Sequence, residues 1–141
     1  MAKRVHLINE TKGTSLGKEI ILANTFLTRL MGLMGRKHLF AEEGLLLTPS
    51  TSIHMFWMKI SLDLVFLNKD NQVVEVYSNI HPWEWTPAVK DCWSILEVPV
   101  GTIQLSKTQL GDQLVIIMPD SSGMAESADM ARVEASHLHL V

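Results

Sequence analysis

From Gly44 onward the chain is a succession of short apolar runs, most of them closed by turn residues. They read GLLL, IHMFWM, DLVFLN and QVVEVYSNI, then Trp93 to Val98 and finally Gln113 to Met118. Runs this short, rich in β-branched and aromatic residues, fit strands rather than buried helices. Asn68-Lys69-Asp70-Asn71 is a hairpin turn between two of them, because Asn and Asp tolerate positive φ. Pro99 to Gly101 ends one strand, and Gly111-Asp112 turns the chain into the last. Upstream, residues 3–9 and 18–23 read as two more strands, separated by a break over Glu10 to Gly13. Asn24 or Thr25 can then cap a helix whose Phe26, Leu30 and Leu33 share one face. Gly32 and Gly35 weaken that helix and let it approach a neighbour closely. The pattern predicts a mainly β protein of six to eight strands with one short helix, a small antiparallel β-barrel or jelly-roll-like sandwich.

A chain of 141 residues suits one domain. The composition shifts at Pro119 to a Ser- and Ala-rich stretch with little periodicity. The expected organisation is a single β-rich domain over residues 1–118 and a flexible C-terminal tail over 119–141, in which 124–135 can form a short helix. The net charge is −3 and no basic stripe is visible, which argues against nucleic acid as a partner. The single Cys92 excludes an internal disulfide and a zinc site built on paired cysteines. No apolar stretch approaches the ~18 residues of a membrane-spanning helix. MAKRVHLINE has two basic residues but no apolar run after them, unlike a secretory signal. The expectation is a soluble, cytoplasmic protein.

Charged residues inside the apolar runs are the main signal for function. In SIHMFWMKISLDLVFLNKD, the residues His54, Lys59 and Asp63 stand where leucine would be easier to bury, and Glu97 does the same in SILEVPV. An isolated buried carboxylate does not stay ionised, so Asp63 and Glu97 need partners or a wet cleft. The candidate cations are Arg29, Arg36 and Lys59. Arg29 and Arg36 are seven residues apart and share a face if the helix runs that far. Such a network more often fixes a fold than performs chemistry. Catalytic alternatives are a carboxylate pair acting as acid and base, as in glycoside hydrolysis, or Cys92 with His81 or His54. A lone cysteine is more often a small buried hydrophobe. A metal site on His54, His81 and a carboxylate lacks supporting His spacing, and His137-Leu138-His139 lies in the tail, so no metal or other cofactor is expected.

The four tryptophans are a second signal. Trp57 and Trp93 fall in expected strands and read as core. Trp83 and Trp85 flank Glu84 in a loop from His81 to Asp91 that contains Pro82 and Pro87. They either present a flat contact to a sugar or a partner, or fold back as a lid on the barrel end.

Five spaced motifs occur in order. They are Arg29-x-x-Gly32-Leu33-Met34-x-Arg36; Gly44-Leu45-Leu46-Leu47; Ile53-His54-x-Phe56-x-Met58-Lys59-x-x-x-Asp63-x-Val65-Phe66-Leu67; Leu96-Glu97-x-x-x-Gly101; and Gly111-Asp112. Together they resemble the domain of unknown function 192 family over about residues 20–118. Many members read Trp-Met-Lys-Asn-Thr before a Pro-Leu-Asp. This chain is similar to the shorter variant built on Ile-His and Met-Arg, with Lys59 in the Arg position. Many members also begin with an export signal, which this chain does not show. The resemblance implies a compact β-barrel or jelly-roll-like domain with a short helix and no established activity. It points at Arg29, Arg36, His54, Lys59, Asp63 and Glu97, the same polar residues.

These readings favour a non-enzymatic domain that binds an unknown small molecule or protein. One alternative is a small enzyme using Asp63 or Glu97 as general acid or base beside His54. Another is a purely structural assembly domain.

Overall fold

The computed structural model describes residues 3–25, 33, 36–53, 55 and 58–119. Seven strands form one sheet: β1 Arg4–Asn9, β2 Thr14–Ala23, β3 Glu43–Leu47, β4 Leu62–Leu67, β5 Val73–Ile80, β6 Ser94–Pro99 and β7 Leu114–Ile117. A five-residue helix, α1 Thr102–Ser106, precedes β7. The order across the sheet is β5-β4-β6-β3-β2-β1-β7. All pairings are antiparallel except β2 with β3. A parallel pair cannot be joined by a tight turn, and residues 24–42 make the long crossover between them.

The sheet curls into a half-barrel. Its two edges meet at one end, where Gln72 bridges Gln113, the Val73 N–H donates to the Asp112 carbonyl (2.9 Å) and the Gly111 N–H donates to the Val73 carbonyl (2.8 Å). One apolar cluster draws on all seven strands and on Ile103 of α1. Leu7, Ile20, Leu46, Val65, Val73, Leu96 and Leu114 belong to it, so it fills the concave side. The buried residues of a second cluster come from central strands, among them Leu45, Leu47, Leu62, Leu64, Phe66 and Ile95, and partly buried Val74, Tyr77 and Ile80 of β5 pack against them. This cluster lies on the convex side beneath Leu33, Ile53, Met55 and Met58. Burial on both faces explains why all six residues of β4 are buried and why β4 and β6 read as continuous apolar runs rather than alternating ones.

The hairpin turn at Asn68–Asn71 forms as expected. Asn71 takes φ 62, and the Asn68 side-chain oxygen accepts from the N–H groups of Asp70 and Gln72, both at 2.9 Å. Three expectations are corrected. The run IHMFWM is not a strand at its described residues: Ile53, Met55 and Met58 lie outside any strand. They are apolar because they cover the convex face, not because they pair in the sheet. Trp93 is not core but stands just before β6, 42% exposed, with Lys69 Nζ 4.8 Å from its ring centroid. Helix α1 was not anticipated. The expected helix after Asn24 lies outside the described residues except for buried Leu33, and so does the expected tail beyond Pro119.

Candidate functional site

Strand register decides where the two strand carboxylates point. Asp63 lies opposite Val98, and Leu64 lies opposite Glu97. Side chains alternate along a strand, so Asp63 shares its side with Val65 on the concave face. Glu97 shares its side with Leu45 and Leu64 on the convex face. The expected common network of both carboxylates is therefore not built.

Asp63 is 1% exposed and is held by backbone. Its Oδ1 accepts from the Asn79 N–H (2.9 Å), and its Oδ2 accepts from the N–H groups of Gly101 (3.0 Å) and Ile103 (3.1 Å). Three such bonds satisfy a buried carboxylate without a cation. They fix two irregular places at once. One is the β5 irregularity at Asn79, where φ is 57; the other is the Pro99–Gly101 turn, where Gly101 takes φ 100 before α1. Among the described residues, no ion pair reaches Asp63. Arg36 pairs instead with Glu43 (3.3 Å), and Lys59 is exposed. Arg29 and His54 lie outside the described residues. The Phe40 N–H donates to Glu43 Oε1 (2.9 Å). That bond holds the Glu43 carboxyl below its usual range; partial desolvation opposes it and the Arg36 charge adds to it.

Glu97 has no such anchoring among the described residues. It is 6% exposed, and its Oε2 is buried with no hydrogen-bond partner. Burial pushes its carboxyl up to about 8, so it is a neutral acid at pH 7. Cys92 is buried too, and its thiol donates to the carbonyls of Ser50 and Ser94, both at 3.3 Å. Burial pushes that thiol up against the pull of backbone hydrogen bonds, which suits a packing residue and not a nucleophile.

One polar network has no counterpart in the sequence reading. Asn9, fully buried, donates to Asp112 Oδ2 (2.9 Å) and Thr108 Oγ1 (3.1 Å), and Lys12 Nζ reaches both Asp112 oxygens (2.9 and 3.0 Å). Burial raises the Asp112 carboxyl, but the Asn9 and Lys12 hydrogen bonds, the Gln109 N–H and the Lys12 charge outweigh it and leave it lowered. The only signal in the sequence was Gly111-Asp112, which reads equally well as a turn.

The loop from His81 to Asp91 is locked to Thr51, Ile53 and Met55. The Met55 N–H donates to the Glu84 carbonyl (2.7 Å), the Trp83 N–H to the Met55 carbonyl (2.8 Å), and the Thr86 N–H to the Ile53 carbonyl (2.8 Å). Glu84 Oε1 accepts from the His81 N–H (2.6 Å) and lies 3.1 Å from His81 Nδ1, so it braces its own turn. Trp83 and Trp85 are 57% and 66% exposed.

Two clefts flank the Pro99–Val100 turn. One, of about 550 Å³, is lined by Ser15, Glu42, Thr102 and Leu105 among others. The second, of about 430 Å³, is lined by residues 37–40, Ile60 and Ser61. Among the described residues, no three His, Cys, Asp or Glu side chains gather to hold a metal ion. No described helix is long and apolar enough to cross a membrane.

The curled seven-stranded sheet with a small helix is a fold shared with solved structures. A Novosphingobium aromaticivorans protein of unknown function matches it with a TM-score of 0.69 at 24% identity, over 81% of this chain and 84% of that one. The family model of DUF192, described as "Uncharacterized ACR", matches residues 7–116, and the chain belongs to this family. A UPF0127 protein of Thermococcus sibiricus is 33% identical over 112 residues, which are 77% of this chain and 72% of that protein. Another, from Pyrococcus furiosus, is 30% identical over 111 residues, 77% of this chain and 95% of that protein.

Proposed function

We propose that this chain is a non-enzymatic binding module that presents Trp83 and Trp85 to a small ligand or a protein partner. The observation that carries the reading is the pair of tryptophans, each more than half exposed on a loop whose backbone is bonded to Ile53 and Met55. Large exposed aromatics on a fixed frame form a contact surface that costs little entropy to order. Catalysis has less support. Both Asp63 oxygens are engaged by backbone, Glu97 is sealed beneath the convex-face cover, and the two point to opposite faces.

A thermal-shift screen against sugars, nucleotides, metal ions and organic acids tests the reading, because a ligand that prefers the folded state raises its stability. The double variant Trp83→Ala with Trp85→Ala is expected to lose the shift produced by the best hit while keeping its own Tm. A hit whose shift survives in the double variant would place binding elsewhere.

A further inference from the structure

The cleft between residues 37–40 and the Pro99–Val100 turn is built like a receptor for a particular chemistry. Its body is apolar, lined by Leu39, Phe40, Ile60, Pro99 and Val100. Phe40 and Val100 are left 67% and 49% exposed, although apolar side chains gain most from being covered. Among the described residues, its titratable lining is Lys37 and His38, both exposed, on a chain whose net charge is −3. The nearest acids in sequence are both engaged: Glu42 Oε2 accepts from the Lys18 N–H (3.1 Å), and Glu43 is tied to the Arg36 guanidinium and to the Phe40 N–H. Both walls are fixed in advance. Glu43 holds the 36–40 segment, while Asp63 holds the other wall through Gly101 and Ile103, and Thr102 Oγ1 donates to the Pro99 carbonyl (2.7 Å). A volume of about 430 Å³ lies within the range of small-molecule sites.

We propose that this cleft binds a small carboxylate carrying an apolar body, with Lys37 and His38 taking the carboxylate and Phe40, Ile60 and Val100 covering the body. Arg36 stays with Glu43, so the anion meets Lys37, and no acid is among the described lining residues. The site is separate from the tryptophan loop and stands or falls independently of it.

Titration of the full ¹⁵N-labelled chain with octanoate tests the assignment, with 1-octanol as the neutral control. Octanoate is expected to shift the amide signals of residues 37–40, 60–61 and 100 saturably. Octanol should bind about tenfold more weakly, the difference expected for one charge-assisted hydrogen bond. Lys37→Glu, a change on an exposed side chain, is expected to weaken octanoate by at least about tenfold, with its spectrum otherwise that of the wild-type fold. The double tryptophan variant should bind octanoate as the wild type does. Absence of a saturable shift, shifts centred elsewhere, equal affinity for octanol, or unchanged affinity in Lys37→Glu would each overturn the proposal.

Discussion

Asp63 and Glu97 are two acids on adjacent strands with opposite solutions to burial. Asp63 has three backbone donors, so Asp63→Ala would leave the N–H groups of Asn79, Gly101 and Ile103 without their acceptor. A loss of roughly 3–5 kcal/mol is expected, read as a lower denaturant midpoint. Glu97 has burial and no partner, so it folds as a neutral acid. Between its ordinary 4.5 and its folded value of about 8, the native chain holds a proton that the unfolded chain has released. Stability conferred by this group is therefore full below about 4.5 and is lost as the pH rises toward 8, at about 1.4 kcal/mol per pH unit at most. Glu97→Gln cannot ionise. Its denaturant midpoint should stay flatter across that window than that of the wild type, and parallel slopes would show that Glu97 ionises freely in the fold.

Strands β3 and β6 meet so closely that a side chain is excluded at one position. A Cβ on Gly44 would lie 2.6 Å from the Glu97 carbonyl oxygen and 2.8 Å from Ile20 Cδ1. Gly44→Ala should push the two strands apart and cost about 1–3 kcal/mol, measurable by denaturant unfolding. The His81–Asp91 loop behaves oppositely, since its aromatic side chains project outward while its backbone is fixed. The double change Trp83→Ala with Trp85→Ala should alter stability by less than about 1 kcal/mol, as surface substitutions do. A buried lid would instead lose about 3–5 kcal/mol per ring. Iodide quenching of tryptophan fluorescence checks the same point, and its accessible fraction should fall in the double variant.

Across the whole molecule, contacts distant in sequence close the fold. The Asn9–Lys12–Asp112 network ties the first hairpin to the turn before β7, about a hundred residues away, and the Gln72–Gln113 bridge joins the two sheet edges. Asp112→Asn should lower the unfolding free energy at neutral pH by about 1–3 kcal/mol, read as a lower denaturant midpoint, because Lys12 loses its charged acceptor. Asp112 and Glu43 are both lowered in the fold, so their contribution is present above their ordinary values of 3.8 and 4.5 and is lost as the pH falls below them. Glu97 acts in the opposite sense on the alkaline side. These three groups together make stability fall in both directions from about pH 4.5–5, and Asp112→Asn should flatten the acid limb alone.

Local chemistry was legible in the sequence. The Asn68–Asn71 turn needs only an Asn side chain and a positive φ, both properties of the residues themselves. Most strands announced themselves as short apolar runs of about the length a strand needs, but β2 begins at Thr14, four residues before the expected Lys18, because its first half is polar and Gly-containing. The polar residues inside β4 and β6 were also visible as anomalies. What each of them does was decided by partners far along the chain. Asp63 became a backbone anchor because register brought residues 79, 101 and 103 to it, and that same anchoring accompanies α1, a five-residue helix with no apolar period of its own. Ile53, Met55 and Met58 read as strand residues because side chains that cover a sheet face are as apolar as those that pair within it. The network of Asn9 with Asp112 left only Gly111-Asp112, which reads equally well as a turn, since one ordinary polar residue finds another only once the half-barrel has curled. Periodicity and turn chemistry therefore determined the elements, while strand register and curvature, which depend on contacts between distant segments, decided which side chains meet.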